Sequence, residues 1–114
     1  MKLNEAIKET YVGLLKEVRT LELNEEKQKS RITFSNANRV VAVEARKHYV
    51  LLHLPKRANL LELIKTVKEG EKEVDHIEPF KMSYDSRGWS YIRVSKPADV
   101  SKAIEVIQFA KTHN

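Results

Sequence analysis

Arg31-Ile32-Thr33-Phe34-Ser35, Arg39-Val40-Val41-Ala42-Val43-Glu44-Ala45 and Tyr49-Val50-Leu51-Leu52-His53-Leu54 are three extended runs, separated by Asn36-Ala37-Asn38 and Arg46-Lys47-His48. The first alternates, with Ile32 and Phe34 directed inward, as a half-buried strand does. The second is rich in β-branched and small residues on both faces, which predicts a central strand. Asn36 to Asn38 are residues that tolerate left-handed turn geometry, and Arg46 to His48 predict a tight turn. Together the runs read as an antiparallel meander.

Toward the N-terminus, Ile7, Tyr11, Leu14, Val18 and Leu21 recur at alternating spacings of four and three, which places them on one stripe of a first helix. Such a stripe packs on the domain's own sheet, although the same spacing is the heptad period and would also suit a homodimer seam. The run from Asn24 to Ser30 has no apolar residue and reads as a solvated connection.

Beyond the meander, Pro55 is expected to stop the third strand. Leu60, Leu63, Ile64 and Val67 follow at helical spacing until Gly70, a C-terminal cap. Apolar positions are sparse from Glu71 to Phe80, where Val74 and Ile77 support at most a short strand. Asp85-Ser86-Arg87-Gly88 is a turn leading into Trp89 to Val94, where Ile92 and Val94 alternate with Tyr91 and Arg93. Ser95 is expected to cap a last helix, with Pro97 in its first turn and Asp99 near the positive end of its dipole. The buried face of that helix would be Val100, Ala103, Ile104, Ile107 and Ala110. The fold class is thus α+β: an antiparallel sheet of about four or five strands with three helices, order α-β-β-β-α-(β)-β-α, in a single domain over 1–114.

With 114 residues, 41% of them hydrophobic and 32% charged, the chain has enough apolar area for one core. It contains no cysteine, which removes disulfides, thiolate nucleophiles and thiolate metal sites and fits the cytoplasm. The opening residues Met1 to Glu5 lead into an amphipathic pattern rather than a signal peptide, and Tyr49 to Leu54 is far too short to cross a bilayer. No membrane partner is expected.

The net charge of +5 is unevenly distributed. Lys27 to Arg57 holds eight basic residues against Glu44 alone. Ala58 to Pro79 reverses the sign, with three lysines against six acids. Phe80 to Lys96 is basic again, with Lys81, Arg87, Arg93 and Lys96 against Asp85. Two basic segments flank an acidic one.

Four histidines, at 48, 53, 76 and 113, include no i,i+4 pair on an expected helix and no HExxH-like element, so no metal site and no cofactor are expected. His53, between two leucines, reads as a satisfied half-buried imidazole, and His76 has acidic neighbours in Asp75 and Glu78. Glu71, Glu73, Asp75 and Glu78, with Lys72 beside them, suit either a solvated face or a metal-dependent nuclease site, and the solvated face is the usual outcome for a charge run. Three isolated glycines cannot build a phosphate-cradling loop. Glu44, a lone acid in an apolar strand, requires a partner, with Arg31, Arg39 and Arg46 in reach.

The residues Asn38 to Glu44, the basic turn, Tyr49 to Leu54, and the closing pattern Gly88-Trp89, Tyr91 to Val94, Ser95, Asp99 and a helix ending near Phe109 resemble the bacterial domain of unknown function 5655 family. The likeness spans roughly residues 14–111. Domains of that family occur alone or appended to modules similar to restriction endonucleases, which implies a role accessory to restriction or another defence system. Many members have His-Trp-Gly followed by a second glycine, whereas this chain reads Arg87-Gly88-Trp89-Ser90-Tyr91. A family ligand site built on that histidine and those glycines would be lost here.

The basic residues carry the functional expectation: a non-enzymatic binding module in contact with nucleic acid. Arg31, Arg39, Arg46, Lys47, Lys56 and Arg57 are the expected backbone contacts, and Arg87, Trp89, Tyr91 and Arg93 a second surface. Cations so grouped release counterions on meeting phosphates. Tyr49, Tyr84, Trp89 and Tyr91 are available for stacking on unpaired bases. Basic residues on edge strands also prevent aggregation, and Trp is more often core. The alternative is a protein-interaction module or small inhibitor engaging an acidic partner.

Overall fold

The computed structural model describes residues 3–114; Met1 and Lys2, at the start of the expected 1–114 domain, lie outside the described residues. Helix α1 spans Glu5–Arg19 and is opened by Asn4, whose Oδ1 accepts the Ile7 N–H at 2.8 Å. Ile7, Leu14 and Val18 of the stripe are buried, Tyr11 and Leu21 pack partly against the core, and Leu15 and Thr10 join them. Thr10 is tolerated inside because its hydroxyl donates to the Ala6 carbonyl at 2.7 Å. The stripe that would suit a dimer seam is therefore taken up by the domain's own core.

Strands β1 (Asn24–Lys27), β2 (Ile32–Ser35), β3 (Arg39–Ala45) and β4 (Val50–Lys56) follow as consecutive antiparallel neighbours. The segment expected as a solvated connection is in fact the edge strand β1. All four of its side chains are exposed, so backbone pairing with β2 and a two-pronged ion pair from Arg19 to Glu25 hold it, at 2.9 Å on each prong. The Asn36–Asn38 turn needs no left-handed residue: Asn36 Oδ1 accepts the Asn38 N–H at 3.2 Å, and no positive φ occurs there. Pro55 does not stop β4. It is the extra residue of a β-bulge, since Leu54 faces Ser90 and Lys56 faces Trp89, and a bulge is where a missing N–H costs no ladder bond.

The expected second helix is only one turn, α2 (Arg57–Leu60), continued by a 3₁₀ turn at Leu61–Leu63. The rest is strand β5 (Lys65–Glu69), which pairs with β6 (Lys72–Ile77). Gly70, at φ 67°, is the hairpin glycine rather than a helix cap. Opposite charges face each other along the hairpin, Lys68 to Glu73 and Glu69 to Lys72, and β-branched Thr66 and Val67 favour it over helix. Short strands β7 (Phe80–Lys81) and β8 (Ser83–Tyr84) lead through the Asp85 turn to β9 (Trp89–Val94). A 3₁₀ turn at Pro97–Asp99 precedes helix α3 (Val100–Thr112). No side chain caps either N-terminus, so Ser95 does not serve as the expected cap. In α3, Ala103, Ile107 and Ala110 are buried as expected, Val106 joins them, and Val100 and Ile104 are partly covered.

The α+β class, the three helices and the antiparallel sheet stand, with more strands than the sequence suggests: six in the order β1-β2-β3-β4-β9-β8, and three in the order β5-β6-β7. Helices α1 and α3 pack on β3 and β4 from one side. The core there is formed by Ile32, Phe34, Val41, Val43, Val50, Leu52, Leu54, Ile92 and Val94, which register places on that face. Burying each such side chain contributes about 1.5–3 kcal/mol. No helix among the described residues is long and apolar enough to cross a membrane.

The smaller sheet joins the body through Ile77, Phe80 and Met82, which enter the core, and through Asp75. Asp75 accepts from Arg57 at 2.8 Å, Thr66 at 2.6 Å and Tyr84 at 2.5 Å. These donors, Arg57 first, hold its carboxyl well below the usual carboxylate range, while burial and then Asp75 push the Tyr84 phenol up to about 12. Because the folded carboxyl is the more acidic form, the latch is complete above the unfolded aspartate value of about 3.9 and weakens as pH falls below it.

Asp75→Ala is expected to cost about 1–2 kcal/mol in urea unfolding near neutral pH and to speed hydrogen exchange selectively in β5 and β6, with the deficit shrinking in acid. A deficit that is the same at pH 7 and in acid would contradict the latch. Ser90 Oγ is buried with no hydrogen-bond partner among the described residues, so Ser90→Ala is expected to raise stability by about 1 kcal/mol. A loss on that substitution would reveal a partner for the hydroxyl.

Candidate functional site

The face of the six-stranded sheet opposite α1 and α3 is lined by the alternate residues, and register aligns them in rows. Thr33, Ala42, His53, Tyr91 and Ser83 form the middle row. Glu44, Leu51 and Arg93 form the next, with Arg31 extending it beyond β2. At the opposite end lie Ser35 with Arg39, and Lys56 with Trp89.

That last group exists because of two bulges. Phe34 faces Val41 and Ser35 faces Arg39, so Val40 is an extra residue in β3, as Pro55 is in β4. Strict alternation would put Arg39 with Val41 and Val43, and Lys56 with Leu52 and Leu54, on the helix-covered face. Each inserted residue shifts the count by one and turns the adjacent cation to the open face.

Aromatic rings on this face carry cations. The Arg39 guanidinium lies 5.5 Å from the Trp89 ring centroid, and that of Arg93 lies 4.6 Å from Tyr49. In the middle row His53 meets Tyr91 edge-on, at 5.0 Å between centroids and 71° between planes. Three ring positions thus run across the face, the outer two each with an arginine.

Glu44 is satisfied twice, by an ion pair with Arg46 and by His53 Nε2 at 3.0 Å. Burial depresses the His53 pKa against the opposing hydrogen bond to Glu44, and the charges of Arg31 and Arg39 add to the depression. The neutral ring then donates Nε2–H to the carboxylate. Tyr91 donates to Asp85 Oδ2 at 2.7 Å, and the Arg87 and Trp89 amides donate to Asp85 Oδ1 at 2.8 and 3.1 Å. Burial works to raise the Asp85 pKa, but these bonds outweigh it and bring it to about 2.

Of the residues singled out from sequence, Arg31, Arg39, Trp89, Tyr91 and Arg93 meet on the open face, so the two basic segments converge there. Lys47 stands exposed on the β3–β4 turn and Lys56 at the other end of β4. Arg46, Arg57 and Arg87 are held by Glu44, Asp75 and Asp85. Arg31 bonds only to the neutral Gln28 amide, at 3.1 Å, and among the described residues no carboxylate pairs with Arg31, Arg39, Lys47, Lys56 or Arg93. Tyr84 is engaged by Asp75 beside the smaller sheet.

His53 is the satisfied, half-buried imidazole that the sequence predicts, whereas Asn38, Asn59 and Asn114, which carry no functional expectation in sequence, line a cleft with Arg39, Pro55, Lys56 and Trp89. Nothing local in the sequence marks these asparagines as a group. His76 pairs with Glu69 at 2.9 Å, and among the described residues no three metal-ligating side chains gather. Comparisons of the chain with protein-family models, with curated proteins and with solved structures find no match.

Proposed function

We propose that this chain is a non-enzymatic module that binds nucleic acid across the open face of its six-stranded sheet. One observation carries the reading: Arg31, Arg39 and Arg93, from both basic segments, share that face with Tyr49, Tyr91 and Trp89, and none of the three cations is committed to a carboxylate among the described residues. Unpaired cations hold condensed phosphate charge best, and aromatic rings offer π-faces to any base. The open sheet face favours a single strand, whose bases can lie flat on it, over a duplex, which needs an element to enter its groove.

In this reading the module works in the cytoplasm as an accessory to restriction or another defence system, as its resemblance to the domain of unknown function 5655 family implies. Arginine, tryptophan and tyrosine also dominate protein interfaces. An acidic protein partner is therefore the competing occupant of the same face.

Fluorescence anisotropy with a labelled single strand at low salt checks the reading. Binding is expected to weaken steeply with salt, with a log–log slope approaching about −3.5 if Arg31, Arg39, Lys47, Lys56 and Arg93 all engage phosphates. The double change Arg31→Glu with Arg93→Glu is expected to abolish it, and Lys102→Glu on α3 to leave it intact. Absence of binding at low salt, or equal loss from Lys102→Glu, would refute the assignment.

A further inference from the structure

The end of the open face where both bulges lie is concave. Asn38, Arg39, Pro55, Lys56, Asn59, Trp89 and Asn114 line a cleft of about 270 Å³. That volume falls just below the 300–1,000 Å³ or so of ordinary small-molecule pockets, which suits one planar heterocycle and little more.

Its walls are fixed before any ligand arrives. Asn59 Nδ2 donates to the His113 carbonyl at 3.0 Å, and Asn114 Nδ2 donates to the Arg39 carbonyl at 2.9 Å. Pro55 is buried and rigid, and the indole of Trp89 is layered with the Arg39 guanidinium. Lys56 is exposed at the mouth, in register with Trp89.

The two bulges give this corner its chemistry. Without the bulges, with alternation unbroken through Val40 and Pro55, both cations would face the helices, and Trp89 would stand alone on the open side. With them, one aromatic wall is bracketed by two positive charges. An aromatic plane beside paired cations fits a ligand that is itself flat at one end and anionic at the other.

We infer that the Arg39–Lys56–Trp89 cleft takes a single unpaired nucleotide, its base against the Arg39–Trp89 layer and its phosphate between Arg39 and Lys56, which rests on the strand-binding reading above. A paired base cannot enter, because its Watson–Crick edge is already occupied and its faces are stacked. The cleft therefore makes the module selective for single strands or for frayed and unpaired positions.

Trp89 is the chain's only tryptophan, so its emission reports this corner alone. The test titrates the intact protein with a short single-stranded oligodeoxyadenylate, with the same strand annealed to its complement, and with an abasic strand of equal charge. Anisotropy is read alongside tryptophan emission. The single strand is expected to quench Trp89 in step with binding, while the duplex and abasic strands bind without quenching. Trp89→Leu and Lys56→Ala are each expected to weaken single-strand binding by about tenfold and to narrow its preference over duplex. If Trp89→Leu fails to fold, the exposed Lys56→Ala decides. Salt-sensitive binding with unchanged Trp89 emission, or with full affinity in Lys56→Ala, would overturn the cleft and spare the open face. Equal quenching by the duplex would overturn the claim of an unpaired base, and no binding to any strand would overturn both readings.

Discussion

Helices α1 and α3 cover only one face of the six-stranded sheet, and the character of the other face follows from that asymmetry. The covered side is apolar through β2, β3, β4 and β9 except at Ser90. The uncovered side has to be stable in water while sitting on strands whose centres are buried. Ala42 and Leu51 give it a low apolar floor, and larger side chains cover one another around them. Arginine over Trp89 and Tyr49 serves here as local packing, in which guanidinium groups shield ring faces at little desolvation cost.

Collecting cations on one face has an electrostatic cost, and this face offsets part of it at Glu44. Glu44 neutralises Arg46 in an ion pair and accepts a hydrogen bond from the His53 ring. His53 remains neutral because burial and the arginines oppose its protonation. The positive charge left over is carried at the ends, by Arg31, Lys47 and Arg93 on one side and by Arg39 and Lys56 on the other. A polyanion lying across the sheet would meet cations at both ends and rings between them. By contrast, Arg57 and Arg87 serve structure, one latching the smaller sheet through Asp75 and the other closing the Asp85 turn.

Much of this was readable from residue pattern. The meander, the first helix and the last helix all show clean periodicity, because each buries one face against a common core. What pattern could not reveal depends on partners distant in sequence. Asn24 to Lys27 carries no apolar signal, yet pairs as an edge strand because β2 offers it a free ladder. Leu60, Leu63, Ile64 and Val67 keep helical spacing, but Thr66 and Val67 pair across a hairpin whose glycine looks like a helix cap in sequence alone. The bulges are the sharpest case: counting by twos from Val43 assigns Arg39 to the core side, and only pairing with Ser35 shows that Val40 resets the count. The list of basic residues was legible, and so was the need of Glu44 for an arginine, met by Arg46, whereas the pairing of Arg57 was not, since Asp75 lies eighteen positions away.

The central claim is that the uncovered sheet face is the binding surface. Backbone amide NMR of the labelled protein, titrated with a single-stranded oligonucleotide at low salt, tests it most directly. Shift changes are predicted to cluster at Arg31, Arg39, His53, Trp89, Tyr91 and Arg93 and to leave the exposed side of α1 and α3 unmoved. Changes centred on the helices or on the β5–β6 hairpin, with the sheet face silent, would contradict it.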